Sequence, residues 1–103
     1  MSLLGSPFQV IQTYSDNQTL EVGVDVALQT GTSKTISLPL ARNCTLENGN
    51  NIIRVIGVGH SVTVAATSPD TILNGGSVTI GSGKVGYCES NALNAWIVTG
   101  DSA

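Results

Sequence analysis

The stretch that decides the fold is TLEVGVDVAL, residues 19–28. Every even position in it is apolar, whereas the odd positions carry polar or small residues. Because successive side chains of a strand point to opposite faces, this alternation predicts one β-strand with a single buried face. The same period returns in four later pairs: Ile36 and Leu38, Val62 and Val64, Val78 and Ile80, and Trp96 and Val98.

About eight short strands are predicted when this alternation is read along the whole chain. They lie near residues 8–13, 19–28, 34–38, 51–58, 61–66, 77–80, 84–89 and 95–99. Clusters of Gly, Asn, Asp and Pro separate them, and these residues favour turns. The sequence therefore predicts an all-β fold, a small antiparallel β-sandwich or jelly-roll-like barrel. A single helical turn is expected around residues 40–46.

The composition restricts the classes of function. The 103 residues correspond to one domain, and only 11% of them are charged, against about 25% in ordinary globular domains. Ser, Thr, Asn, Gln and Gly must therefore cover the surface, which lets neighbouring copies of the chain pack closely. The formal charge of −3 and the four scattered cations argue against nucleic acid as a partner, because phosphate binding needs clustered Lys and Arg.

The chain also lacks recognisable targeting segments. No run approaches the roughly 18 apolar residues that span a bilayer, so no membrane partner is expected. The first residues contain no basic and apolar segments of a signal peptide, which predicts synthesis in a cytoplasm. Cys44 and Cys88 could pair, but a cytoplasmic origin favours two reduced, partly buried thiols.

The segment 51–58 departs from the one-sided pattern because both of its faces are apolar. Ile53 and Val55 share one face, and Ile52 and Ile56 share the other with Arg54. Such a strand is either central in a sandwich or packed against another subunit. Arg tolerates a partly buried interface when it meets an acid or a carbonyl, so Ile52, Arg54 and Ile56 are candidate subunit-interface residues. The alternative is that Arg54 extends into solvent at a sheet edge.

No motif indicates catalysis, a cofactor or a metal. Residues 81–86, GSGKVG, match the dinucleotide fingerprint by letter, but a strand rather than a helix is predicted after them, so a hairpin turn is expected. His60 stands between two strands without a flanking catalytic signature, and one His with two distant Cys is a poor zinc site. We therefore expect a protein that is not an enzyme and binds no cofactor.

The order of the segments between Lys34 and Thr99 is distinctive. TISLP at 35–39 is followed by NIIRV at 51–55, SVTV at 61–64, DTILNGGSVTI at 70–80 and NAWIV at 94–98. This order resembles small β-domains of tailed-bacteriophage virion proteins, such as tail fibres, tail spikes and capsid decoration proteins. The resemblance implies a homotrimer on the virion surface, made in the host cytoplasm and attached to other capsid or tail proteins.

Two further expectations follow from that resemblance. Residues 1–14 are expected to dock to a neighbouring virion protein through Leu3, Leu4, Phe8 and Val10, and residues 15–103 to form the β-domain. Capsid decoration is the favoured role. The alternative is a fibre-type module that binds a host receptor or surface glycan, with Tyr87 and Trp96 as the candidate ligand contacts, because sugar sites commonly use exposed aromatic rings.

Overall fold

Ten short strands form two sheets in the part of the chain that the structure, a computed structural model, describes: residues 10–47 and 50–100. In chain order the strands are β1 (Ile11–Tyr14), β2 (Gln18–Thr19), β3 (Val26–Gln29), β4 (Lys34–Ser37), β5 (Ile52–Gly57), β6 (Val62–Ala65), β7 (Thr71–Ile72), β8 (Ser77–Ile80), β9 (Val85–Ser90) and β10 (Ala95–Gly100). Sheet A has the order β1-β3-β5-β9-β10-β7, and sheet B has the order β2-β4-β6-β8. The prediction of an all-β fold is confirmed.

Strand direction differs from the prediction. From β1 to β6 the chain alternates between the two sheets, so β1, β3 and β5 run parallel in sheet A, and β2, β4 and β6 run parallel in sheet B. Antiparallel pairs join β8 to β6 and place β9 between β5 and β10. The antiparallel prediction is therefore wrong for the first six strands. These strands run parallel because turns such as residues 58–61 carry the chain into the other sheet, whereas a hairpin would return it along the same sheet.

The decisive stretch at 19–28 is two strands and a corner rather than one strand. β2 ends at Thr19 and β3 begins at Val26, and between them Gly23 adopts a φ of 108°, which favours glycine. An unbroken alternation of side chains cannot reveal such a corner, because the period of two stays the same when the face that packs on the core changes.

The corner also changes which side chains face the core. Leu20 and Val24 belong to the buried core cluster before β3, but within β3 the core residue is Ala27. Val26 and Leu28 are directed to the opposite side of sheet A and are not members of the core cluster, although Val26 is buried, at 5% exposed, and Leu28 is half-buried. Both faces of β3 therefore carry apolar residues.

A buried amide holds this corner in place. The Nδ2 group of Asn50 donates a hydrogen bond to the carbonyl of Val24 at 3.0 Å, and its Oδ1 accepts one from the N–H of Gly23 at 2.7 Å. Asn50 is almost fully buried, so both halves of its polar group are satisfied inside the protein. The segment before β5 is thus tied to the turn between β2 and β3.

The core lies between the two sheets and is closed at one end by the connection from β4 to β5. Trp96 is fully buried, and its indole Nε1 donates to the carbonyl of Pro39 at 3.0 Å. A 3-10 turn, Ala41–Asn43, follows at the place where a helical turn was expected. The N–H of Ala41 donates to Oδ2 of Asp70 at 2.7 Å, and the carbonyl of Ala41 accepts from Oγ of Ser90 at 2.7 Å.

Replacing Asn50 with Ala should lower the free energy of unfolding by about 2 kcal/mol, because the Gly23 N–H and the Val24 carbonyl lose their partner. Asn51→Ala is the matched control, since the Asn51 side chain makes no hydrogen bond with the described residues, and it should cost less than about 0.5 kcal/mol. Chemical denaturation of both variants measures the difference. Equal losses in the two variants would show that the Asn50 amide does not hold the corner.

Candidate functional site

The side of sheet A that faces away from the core is the candidate functional surface. On β5, which is central in this sheet, Ile53 and Val55 are fully buried in the core. Ile52 is exposed, and Arg54 and Ile56 are half-buried on the other side. The two apolar faces predicted for this segment are therefore present, and the second face lies outside the core.

Strand register extends this second face across five strands in three rows. Paired residues in neighbouring strands point to the same side of a sheet. The first row contains Ile52, Glu89 and Ile97; the second contains Ile11, Val26, Arg54, Tyr87 and Thr99; the third contains Thr13, Leu28, Ile56 and Val85. We call these twelve residues the outer face.

The outer face is large and mostly apolar. Four of its apolar side chains are strongly exposed: Ile11 at 55%, Tyr87 at 51%, Ile52 at 49% and Ile97 at 41%. Each residue on a sheet face covers about 4.8 Å by 6.6 Å, so the twelve residues, eight of them apolar, cover roughly 380 Å². The largest apolar patch of a typical monomer covers roughly 300–600 Å² and often has a function. The outer face therefore has the size of an interaction surface.

Two charged residues, Arg54 and Glu89, lie within the outer face. They occupy adjacent strands, since Arg54 pairs with Tyr87 and Glu89 pairs with Ile52 in the β5–β9 register. Neither side chain forms an ion pair or a hydrogen bond with the residues that the structure describes, whereas Lys34 and Asp16 do form an ion pair, at 3.8 Å. The outer face thus presents one cation and one anion without partners among those residues.

Most of this surface was not predicted from the sequence. Ile52, Arg54 and Ile56 were predicted, but Ile97 and Glu89 were not. The sequence did contain a signal for this second face. On β9, Val85, Tyr87 and Glu89 alternate with the buried Gly86 and Cys88. On β10, Ile97 alternates in the same way with the buried Trp96 and Val98. Strand pairing was needed to show that these residues adjoin the β5 row.

The two candidate ligand aromatics lie on opposite sides of sheet A. Tyr87 belongs to the outer face, whereas Trp96 has no exposed surface and packs in the core. As a core residue, Trp96 cannot contact a ligand on the surface, so its expected role is corrected. A single exposed tyrosine remains from the pair that suggested sugar stacking.

The predicted docking residues fall mainly outside the described part of the chain. Leu3, Leu4 and Phe8 belong to residues 1–9, which lie outside it. Val10 is described and exposed, and its N–H donates to Oδ2 of Asp25 at 2.9 Å. The strand β1, assigned from sequence to the docking segment, pairs with β3 as an edge of sheet A.

Both cysteines are reduced and lie in the core. Burial raises the pKa of the Cys88 thiol to about 12. Burial and the nearby charge of Asp70 raise the pKa of the Cys44 thiol to about 11. A nucleophilic cysteine requires the opposite change, a lowered pKa that yields thiolate near neutral pH. The expectation of two reduced thiols is confirmed, and neither thiol has the properties of a nucleophile.

His60 lies on the surface, in the turn between β5 and β6. Its ring nitrogens are each 3.4 Å from Oγ1 of Thr32, which lies in the turn between β3 and β4. The cysteines are both in the core, so the structure does not bring His60 and a thiol together as a catalytic pair. The contact links two stacked corners of the fold.

The glycine-rich segment 81–86 connects β8 in sheet B to β9 in sheet A. No helix begins there, so the arrangement that a dinucleotide site requires is missing. The expected hairpin is corrected to a crossing between sheets. Gly86 serves packing, because a Cβ atom at this position would lie 2.6 Å from Cδ1 of Ile80.

An open groove lies beside β7 and the end of β6. It has a volume of ≈ 410 Å³, and Ala66, Asp70, Ile72 and Gly76 are among the residues that line it. The Asp70 carboxylate already accepts the Ala41 N–H. Within residues 10–47 and 50–100, no group of three or more His, Cys, Asp or Glu is placed to hold a metal ion. In the same ranges, no helix has the length and apolar character needed to cross a membrane.

Comparisons of the chain with protein-family models, with curated proteins and with solved structures found no match.

Fluorescence of Trp96 tests the burial of this residue, because it is the only tryptophan. The emission maximum of the folded chain should lie at shorter wavelength than in denaturant, and acrylamide should quench it weakly. Soluble oligosaccharides should leave the emission unchanged. Quenching as strong as that of the unfolded chain would place the indole at the surface and restore it as a ligand contact.

The two thiols predict a loss of stability at high pH. Because their pKa values are higher in the folded chain than in the unfolded chain, the stability that the thiols contribute is complete below about pH 9 and is lost as pH rises to about 11 for Cys44 and to about 12 for Cys88. Each thiol ionised only in the unfolded chain lowers the free energy of unfolding by about 1.4 kcal/mol per pH unit. Burial and the charge of Glu21 also raise the pKa of Tyr14, which adds to the loss.

Denaturation curves at several pH values measure this slope. The matched control is the variant with both Cys44→Ala and Cys88→Ala, whose stability should change less over the same range. An unchanged slope in that variant would mean that the thiols do not carry the pH dependence. In the native chain at pH 8, neither thiol should react with a disulfide reagent until the chain unfolds.

Proposed function

We propose that this chain is a non-enzymatic structural module that assembles into a homotrimer through the outer face of sheet A, and that it decorates and stabilises the exterior of a phage particle. The observation that carries the proposal is the outer face itself. It lies on the six-stranded sheet A and has four strongly exposed apolar side chains. The phage assignment rests on the resemblance of residues 35–98 to virion β-domains.

The mechanism of assembly is burial of apolar surface between copies. Each square ångström of apolar area removed from water contributes roughly 25 cal/mol, which must offset the cost of association. A standard interface buries about 800 Å² of accessible surface on each partner. The outer face, roughly 380 Å² before the protrusion of its side chains is counted, supplies part of that area.

The low charge of the chain supports the same proposal. With 11% charged residues, little surface charge must be desolvated when copies meet. The interlocked strands also suit a durable module, because most strands of sheet A and sheet B have hydrogen-bonded neighbours on both sides. The glycan-binding alternative gains less support, since Trp96 is buried and Tyr87 lacks an aromatic partner on the outer face.

Light scattering during size exclusion tests assembly. The wild-type chain should elute with the mass of three copies at micromolar concentration, and Ile52→Thr and Ile97→Thr should each shift the equilibrium towards monomer. Val22→Thr is the matched control, because Val22 is also exposed, at 47%, but lies in the corner before β3. A wild-type monomer at micromolar concentration would overturn the proposed assembly.

The location on a particle is tested separately. Purified particles of the phage that encodes the chain should contain it in many copies by mass spectrometry, and antibodies against it should label intact particles. Particles that lack the chain should lose their contents at lower temperature. A chain confined to the lysate would contradict the particle role and leave the assembly result intact.

A further inference from the structure

We infer that Arg54 of one copy forms an ion pair with Glu89 of the next copy at each junction of the assembly. This inference rests on the proposed function, because it takes the outer face as the interface and identifies a second copy of this chain as its occupant. The charge pattern of that face supports the pairing. Its three rows contain one cation and one anion, and ten uncharged residues surround them.

The position of Arg54 requires a partner. The side chain is half-buried in the middle row, with Val26 on β3 and Tyr87 on β9 as its paired neighbours. It forms no ion pair and no hydrogen bond with the described residues. When an apolar surface is covered by another protein, an unpaired guanidinium inside it loses its hydration and becomes costly. A partner that covers the outer face must therefore supply an acceptor.

The same face supplies that acceptor. Glu89 is exposed in the first row, one strand away from Arg54, and it also has no partner among the described residues. A second copy consequently brings both complementary charges, a carboxylate for Arg54 and a cation for Glu89. Guanidinium and carboxylate form paired, charge-assisted hydrogen bonds, which set the register of two surfaces as well as holding them.

A threefold arrangement satisfies every one of these charges. If the outer faces of three copies surround one axis, each Arg54 lies beside the Glu89 of the next copy, and the six charges alternate in sign around the axis. Ile52 and Ile97, which flank Glu89 in its row, then lie next to the pair and shield it from water. The apolar residues supply the affinity, and the ion pair selects the orientation.

Charge reversal tests the pairing. Arg54→Glu and Glu89→Arg should each raise the dissociation constant of the assembly by about tenfold or more, because every junction then opposes like charges. The double variant R54E/E89R should restore assembly to near the wild-type level, since every junction is complementary again. Thermal melting of each variant should match that of the wild-type monomer, because neither side chain belongs to the core.

A mixture of the two single variants separates pairing between copies from pairing within one chain. Mixed assemblies place the carboxylate introduced by R54E beside the guanidinium introduced by E89R, so the mixture should assemble although neither variant does so alone. A mixed trimer has two complementary junctions and one opposed junction, so its assembly should be weaker than that of the wild type. Pairing within one chain predicts rescue in the double variant and none in the mixture, and that result would overturn the inference.

The salt dependence gives a second readout. Raising ionic strength should weaken wild-type assembly, and the neutral variant R54Q/E89Q should lose most of this dependence. If the wild type assembles but the single reversals assemble equally well, the ion pair is wrong and the proposed function stands. If the wild type is monomeric, both are overturned. If the two single variants form a mixed dimer that is as tight as the wild-type assembly, the ion pair between copies is supported. The symmetry axis is then twofold and not threefold.

Discussion

The buried side chain of Asn50 ties the turn between β2 and β3 to the segment before β5. By binding the N–H of Gly23 and the carbonyl of Val24, it fixes the corner at which the chain leaves sheet B for sheet A. Across that corner the residues that face the core change from the even-numbered Leu20 and Val24 to the odd-numbered Ala27. Val26 and Leu28 consequently lie on the outer face, where Val26 is buried and Leu28 is half-buried. The Asn50 amide therefore stabilises the corner that places the β3 side chains in the candidate interface.

Side-chain amides take the place of strand pairing elsewhere in the fold as well. The Gln29 side chain is fully buried, donates to the carbonyl of Asp16 at 2.9 Å and accepts the N–H of Gly31 at 2.8 Å. The Asn74 side chain accepts the N–H of Val98 and donates to its carbonyl, so it extends the edge beside β10. Where the chain turns from one sheet to the other, backbone N–H and C=O groups have no partner in a neighbouring strand. These side-chain amides supply the missing hydrogen bonds.

The sequence was sufficient for strand content and for local face assignment, but not for strand direction. Ile53 and Val55 were predicted on one side of β5 and Ile52 and Ile56 on the other, because alternation within one strand depends only on the strand period. Whether a turn reverses the chain within a sheet or leads to another sheet depends on contacts between distant residues. The pairing of Glu89 with both Ile52 and Ile97 is such a contact, so most of the outer face was hidden from the sequence. Likewise, alternation assigns Trp96 to a face without showing which face is buried.

The burial of the two reduced cysteines determines how the molecule responds to disulfides and oxidants. Exchange with glutathione or with another protein's disulfide begins with attack by a thiolate, and Cys44 and Cys88 remain protonated and enclosed. The folded chain can therefore meet oxidising surroundings without acquiring new disulfide bonds, because the fold itself protects both thiols.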